Sequence, residues 1–380
     1  LLRRIPKNIL RSFSTATETK PKRDEPIQTF RTIESDPVNH NKDHLNRFYT
    51  LAPSTVQTVF QHGGLTKKFK ELSYSFQETS ILVREPAVEV ISYLKLSDYS
   101  RPVNRYVLYG EYGSGKSVSL AHILHYGHSS GNLLVHVPWI SDWYRKPKEV
   151  SASLTQEGFY DLPIDAAAWL VHFKHQNETL LKELDLRLVK SYEWSIREHT
   201  PCGTPVVELI DLGISRIKFA CDIVAVLLDE IKRAAIAGKV KPLVVIDGYN
   251  ALFGDDTQIR VENRKLVYPQ KVTLTKPFID IARSDWCNGA VVLSVDGLAD
   301  YQEKHESYYP RYLLGSEGFE TIDPFLPVHV ENYSRDEFET VMEFWKNKKW
   351  IRSITAEGQR ELELLTDRNP YKLMKYTASL

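Results

Sequence analysis

The sequence predicts an α/β fold in which a parallel sheet carries helices on both faces, and three stretches predict it. Tyr106 to Ser117 joins a short apolar strand to the pattern G-x-x-x-x-G-K-S, a Walker A phosphate loop. Leu243-Val-Val-Ile-Asp247 is a continuous apolar run ending in an acid, as expected of a central parallel strand whose last residue reaches the nucleotide end of the sheet. Ala290-Val-Val-Leu-Ser294 is another such run, and helical periodicities lie between the three.

In the phosphate loop, Gly110, Gly113 and Gly115 allow backbone angles a side chain would forbid, so that amides turn inward as a nest for phosphate oxygens. Lys116 adds a mobile charge at the outer phosphates, and Ser117 offers its hydroxyl to Mg²⁺. The nucleotide-binding set is therefore Gly110, Gly113, Ser114, Gly115, Lys116 and Ser117, with Ser117 and Asp247 as the Mg²⁺ residues. Leu120, Ile123 and Leu124 mark the helix after the loop, and Gly127 is expected to stop it. Ser294 stands where it could monitor the outer phosphate, and Asp296 reads as a turn former.

The bulk properties narrow the alternatives. A chain of 380 residues with 42% hydrophobic content buries a large core and exceeds the usual size of one domain. Lys+Arg and Asp+Glu both number 49, so no global charge draws the chain to nucleic acid or membrane, and such contacts must be local. Cys202, Cys221 and Cys287 are widely spaced, which argues against a disulfide framework and a zinc site. No apolar run approaches a transmembrane span.

Taken in order, residues 1–17 carry Arg3, Arg4, Lys7 and Arg11 with serines and threonines and no acid until Glu18, the composition of a mitochondrial presequence; a basic, frayed terminus is the plain alternative. Residues 18–43 read as an extended tail that orders only against a partner. Residues 44–102 read as an N-terminal helical region, with Val88, Ile91 and Leu94 on one helical face. Its cluster Lys67, Lys68 and Lys70 reads as a solvated face, with RNA contact as the other reading. Within the nucleotide-binding domain, 103–300, Leu133 to Val137 is a strand, Trp139 and Trp143 are packing residues, and helices run over Ile164–Leu186, Ile217–Ala237 and around Pro277–Arg283. Gly238 sits at a C-terminal cap. Residues 301–380 read as a helical lid: Ser334-Arg-Asp-Glu337 is a capping box ahead of Phe338, Val341, Met342 and Trp345, and a last helix from about Thr355 to Leu365 breaks at Arg368-Asn-Pro370.

With these landmarks the chain resembles the death-associated protein three family, the nucleotide-binding proteins of the mitochondrial small ribosomal subunit. The resemblance is carried by Leu108 to Ser117, Asp247-Gly-Tyr-Asn-Ala-Leu-Phe253, Leu314 to Glu320 with Asp323-Pro-Phe, and Asn332 to Phe338, and runs from about Leu45 to the end. It implies an AAA+-like P-loop fold, GTP or GDP with Mg²⁺ as cofactors, small-subunit proteins and rRNA as partners, residence in the mitochondrial matrix within the ribosome, and a link to apoptosis. No [N/T]-K-x-D guanine-reading motif is present, so the preference for GTP rests on the resemblance and ATP stays open.

The leading functional reading is a structural nucleotide-binding component of a ribonucleoprotein, against an active mechanochemical or signalling NTPase and a small-molecule kinase. Many AAA+ hydrolases follow the Walker B aspartate with a glutamate that polarises water; here that position is Gly248. Asn250 and Ser294 are the polar side chains left to orient a water, and no residue is assigned a catalytic role. Glu111 lies inside the loop, but no acceptor-binding constellation accompanies it to support a kinase.

Overall fold

Five apolar runs form one parallel sheet: β1 Asn104–Tyr109, β2 Leu133–Val137, β3 Pro242–Ile246, β4 Ala290–Ser294 and β5 Leu326–His329, in spatial order β5-β1-β4-β3-β2. The structure is a computed structural model that describes residues 29–378 except 256, 262–265 and 301, so the expected presequence 1–17 lies outside the described residues. Side chains alternate along each strand, and so each strand feeds two cores. Val107, Val244, Ile246, Val291 and Leu293 face one core; Tyr106, Leu108, Leu243, Val245 and Val292 face the other. The second core is covered by helices α1 Glu85–Leu96 and α2 Lys116–Ser129, the first by α3 Pro163–Gln176 and α4 Ala220–Ile236. The α/β architecture with a doubly covered parallel sheet is the one the sequence predicts. Strand β4 separates the phosphate-loop strand β1 from the Asp247 strand β3.

A third core joins residues from the first part of the described chain to its C-terminal helices. Helices α5 Arg335–Asn347, α6 Ala356–Thr366 and α7 Pro370–Thr377 pack Phe338, Val341, Phe344, Leu362 and Leu373 against Phe30, Phe48 and Leu82. Phe48 and Leu82 belong to an antiparallel ribbon, Phe48–Thr50 with Ser80–Leu82, so the region expected to be helical over 44–102 contains a two-stranded sheet as well as helices. Those strands are three residues each, too short for periodicity to register.

Several local readings change. Residues 29–43, expected to order only against a partner, pack on this chain's own body: Phe30 is buried in the third core, and His40 meets His122 of α2 ring to ring, Nδ1 to Nε2 2.8 Å. Gly127 does not stop α2, which runs on to Ser129; a Cβ there would lie 2.4 Å from Leu243 Cδ2, so this glycine lets helix and sheet approach. The helix read over Ile164–Leu186 is two, Pro163–Gln176 and Glu178–Leu184, broken at buried Asn177. The Asn177 amide accepts from Leu134 N (2.8 Å) and donates to Leu134 O (2.9 Å), occupying the open edge of β2 as a neighbouring strand would. Finally, β5 falls within 301–380, so the expected lid region supplies an edge strand of the sheet as well as its helices.

Candidate nucleotide site

Parallel pairing gathers the C-terminal ends of the strands along one edge, which is where ligands bind in open α/β sheets. The loop 110–115 leaves β1, Asp247 follows β3, and Asp296 lies two residues beyond β4. Each loop carbonyl from 110 to 114 has a donor behind it. Lys116 Nζ donates to Gly110 O and Glu111 O, both at 2.8 Å. Asn369 Nδ2 donates to Tyr112 O (3.0 Å), Tyr371 N to Gly113 O (3.1 Å) and Arg84 Nη1 to Ser114 O (2.6 Å). Conversely, among the described residues the amides of Gly113, Gly115, Lys116 and Ser117 donate to no protein acceptor. Carbonyls held outward with amides left over make an anion nest, continued by the start of α2, whose N-cap Gly115 brings no side-chain cap. Gly113 has φ +81°, and a Cβ there would lie 2.5 Å from Tyr371 Cβ, so only glycine fits.

The charged groups beside the nest fall into two sets, one around Asp247 and one around Asp296. Ser117 Oγ donates to Asp247 Oδ2 at 2.6 Å, and Ser294 Oγ donates to Asp247 Oδ1. Burial pushes the Asp247 carboxyl up to about 6, against the hydrogen bonds from Ser117 and Ser294 that pull it down. Lys116 Nζ lies 2.9 Å from Asp296 Oδ2, with both side chains almost fully enclosed. Asn250 fixes that aspartate from below: Nδ2 donates to Asp296 O (3.0 Å), and Oδ1 accepts from Asp296 N (2.9 Å).

The structure therefore brings together Gly110, Gly113, Gly115, Lys116, Ser117 and Asp247. Ser114 differs from its neighbours: its amide donates to Glu111 O at 3.3 Å, and its hydroxyl is fully buried without a partner among the described residues. Ser294, expected to watch the outer phosphate, instead spans Asp247 and the Gly248 amide, which donates to it at 2.9 Å. Asn250, expected to hold a water, is fully buried and spent on Asp296 and Asp300. Asp296 is more than a turn former, since it pairs with the loop lysine. The one signal for it was its place just past a central strand end. Arg84, Asn369 and Tyr371 were missed, and no local pattern marks residues that reach the loop from 30 or from more than 250 positions away.

Position 248 bears on chemistry. Gly248 has φ +77°, and a Cβ there would lie 3.0 Å from Trp139 Cζ3 and 3.2 Å from Ala299 Cβ. The backbone after Asp247 thus has neither the angles nor the space for a glutamate.

A sequence profile of the family described as mitochondrial ribosomal death-associated protein 3 matches residues 81–376. The chain belongs to that family. Relatives named small ribosomal subunit protein mS29 agree: one from Bos taurus is 36% identical over 353 residues, 92% of this chain and 88% of its own length. Another, from Mus musculus, is 34% identical over 360 residues, 94% and 91% of the two chains. A solved structure, the E. coli MS115-1 HORMA:CdnC:Trip13 complex, aligns over 85% of this chain and 80% of that one at TM-score 0.28 and 12% identity, too loose to carry an argument. As a member of the mitochondrial ribosomal death-associated protein 3 family, the chain is a mitochondrial ribosomal protein of the matrix, as the resemblance implied. No helix of the described residues is long and apolar enough to cross a membrane.

Proposed function

We propose that this chain is a structural nucleotide-binding component of the small mitochondrial ribosomal subunit, holding GTP or GDP with Mg²⁺ as a standing ligand. The observation that carries the reading is the loop itself, with carbonyls at 110–114 turned outward and the amides of Gly113, Gly115, Lys116 and Ser117 left as donors. Those amides would cradle phosphate oxygens, and the Lys116 ammonium, already held by two carbonyls and Asp296, would face the outer phosphates. Ser117 and Asp247 would hold Mg²⁺, whose charge offsets the cost of an ionised Asp247 at that depth. Guanine over adenine follows the family resemblance, as do small-subunit proteins and rRNA as partners and the apoptotic link.

Binding without brisk turnover is the second half of the proposal. Rate enhancement needs groups that act preferentially in the transition state. Position 248 bears glycine and leaves a larger residue no room, while Ser294 and Asn250 are committed to Asp247 and Asp296. A partner could supply an arginine in trans, a contribution of about 10³- to 10⁵-fold in GTPases. Single-turnover hydrolysis of GTP by the pure protein, with and without small subunits, tests this. The expected result is nucleotide bound and retained with the outer phosphate intact over many minutes. Several turnovers per second by the pure protein would establish the active NTPase reading instead.

A further inference from the structure

The carbonyls at 112–114 are not held by the loop's own lysine but by groups from outside residues 103–300. Tyr112 O and Gly113 O receive Asn369 and the Tyr371 amide, at the start of α7, and Ser114 O receives Arg84, at the N-cap of α1. Arg84 spends the rest of its guanidinium on the C-terminal part of the chain: Nε meets Glu337 Oε1 at 2.9 Å, and Nη2 donates to Glu331 O at 2.8 Å. Its charge also lies 5.0 Å from the centre of the Tyr333 ring. Glu337 is the capping-box acid of α5; its Oε2 accepts from the Ser334 amide at 2.8 Å. One carboxylate thus starts the helix and holds the arginine that holds the loop.

We propose that Arg84, with Asn369, is a positioning residue that couples the phosphate loop to the C-terminal helices α5–α7, so that docking of these helices and occupancy of the nest are thermodynamically linked. This rests on the nucleotide reading above and adds its regulation. The physical reason lies in peptide geometry. A peptide unit is planar, so a carbonyl fixed outward fixes the amide of the next residue inward. Holding the carbonyls of Tyr112 and Ser114 therefore aims the amides of Gly113 and Gly115, two of the donors of the nest. Release of α5–α7 frees these peptides to rotate, and a glycine-rich loop resists such rotation weakly. Linkage is reciprocal: whatever stabilises the inward amides stabilises the docked helices to the same degree. Residues 331–377 are thereby a candidate site where a ribosomal neighbour could read, or set, nucleotide occupancy.

The test uses the full chain, GDP with Mg²⁺ as the probe, and two variants, Arg84→Lys and Asn369→Ala, neither of which removes a group from the nest. Titration calorimetry gives affinity, and amide hydrogen exchange over 335–377 with and without GDP reads the coupling. In the parent, GDP should slow exchange in α5–α7 at least several-fold. In Asn369→Ala the bonds to Asn332 and to the Lys372 amide are lost with or without GDP, so affinity should fall about tenfold, the size expected for the lost bond to Tyr112 O, and the GDP-dependent protection of α5–α7 should shrink with it. Arg84→Lys keeps the charge but not the fork, and should act in the same way; should it fail to fold, Asn369→Ala decides alone. A parent that binds GDP without any change in α5–α7 exchange, or an Asn369→Ala protein that binds as tightly as the parent, overturns the coupling and leaves the nucleotide site standing. A parent that binds neither GDP nor GTP overturns the reading beneath it.

Discussion

Lys116→Ala removes more than a phosphate contact. The Lys116 and Asp296 side chains are 4% and 10% exposed and lie 2.9 Å apart. Taking one partner from a buried ion pair costs about 3–5 kcal/mol, because the remaining charge stays desolvated. Asp296 keeps one donor, the Leu298 amide at 2.9 Å to Oδ1, which places the expected loss near the lower end, about 3 kcal/mol. Asp296→Asn leaves Lys116 with the carbonyls of Gly110 and Glu111 and should cost about 2 kcal/mol. The double variant buries neither charge unpaired, so it should lose about 2 kcal/mol less than the sum of the single losses. Urea denaturation of all four proteins without nucleotide supplies the cycle, and titration calorimetry at a temperature where each is folded supplies nucleotide affinity. Affinity should collapse in both variants that lack Lys116. Stability losses that add to within about 0.5 kcal/mol would show that the pair does not operate as drawn.

Other consequences follow from packing and from buried histidines. Gly248→Ala should cost about 2 kcal/mol in denaturation, since its φ of +77° disfavours a side chain and Trp139 and Ala299 close on the Cβ position; a neutral result would reopen position 248 to larger residues. Gly127→Ala should cost about 1–3 kcal/mol by driving α2 off Leu243 and Leu134, whereas a helix-stopping role would make alanine stabilising. Burial lowers His172 to about 3 and His125 to about 4, so the native state excludes protons that the unfolded chain takes up below about 6.5. Stability from these groups is present above that pH and falls as pH drops, by about 2 kcal/mol each at pH 5. Burial raises the Asp165 and Asp300 carboxyls, which act in the opposite sense. His172→Gln should therefore flatten the stability difference between pH 7 and pH 5 by about 2 kcal/mol, and an unchanged slope would contradict the assignment.

What the sequence made legible was what short-range chemistry encodes. The strands β1, β3 and β4 are apolar runs bounded by turn formers, the capping box at Ser334 and Glu337 is a four-residue signal, and the phosphate loop is defined by glycine and lysine spacing. Each survives because neighbours in the chain decide it. The parts that stayed hidden depend on distant partners. Asn177 looks like one more residue of a long helix until β2 presents an open edge for its amide. Gly127 looks like a helix stop until Leu243 and Leu134 are seen to need the space of a side chain. Residues 29–43 carry too few apolar positions to suggest order, yet Phe30 and His40 dock on helices more than three hundred and about eighty positions away. Within the site the same division holds. The amides and Lys116 come from one loop and were readable, whereas Asp296, Arg84 and Asn369 act through contacts that only the fold creates.

If the loop holds a nucleotide as a lasting part of the folded chain, that nucleotide should travel with the protein. The most direct measurement is to isolate the protein with mitochondrial small subunits, denature it, and identify and count what is released by chromatography. A loop built from the amides of Gly113, Gly115, Lys116 and Ser117, with Ser117 and Asp247 for Mg²⁺, should release about one guanine nucleotide per chain, and Lys116→Ala should release almost none. Parent protein that assembles into small subunits and yields no nucleotide would show that the loop holds no standing ligand.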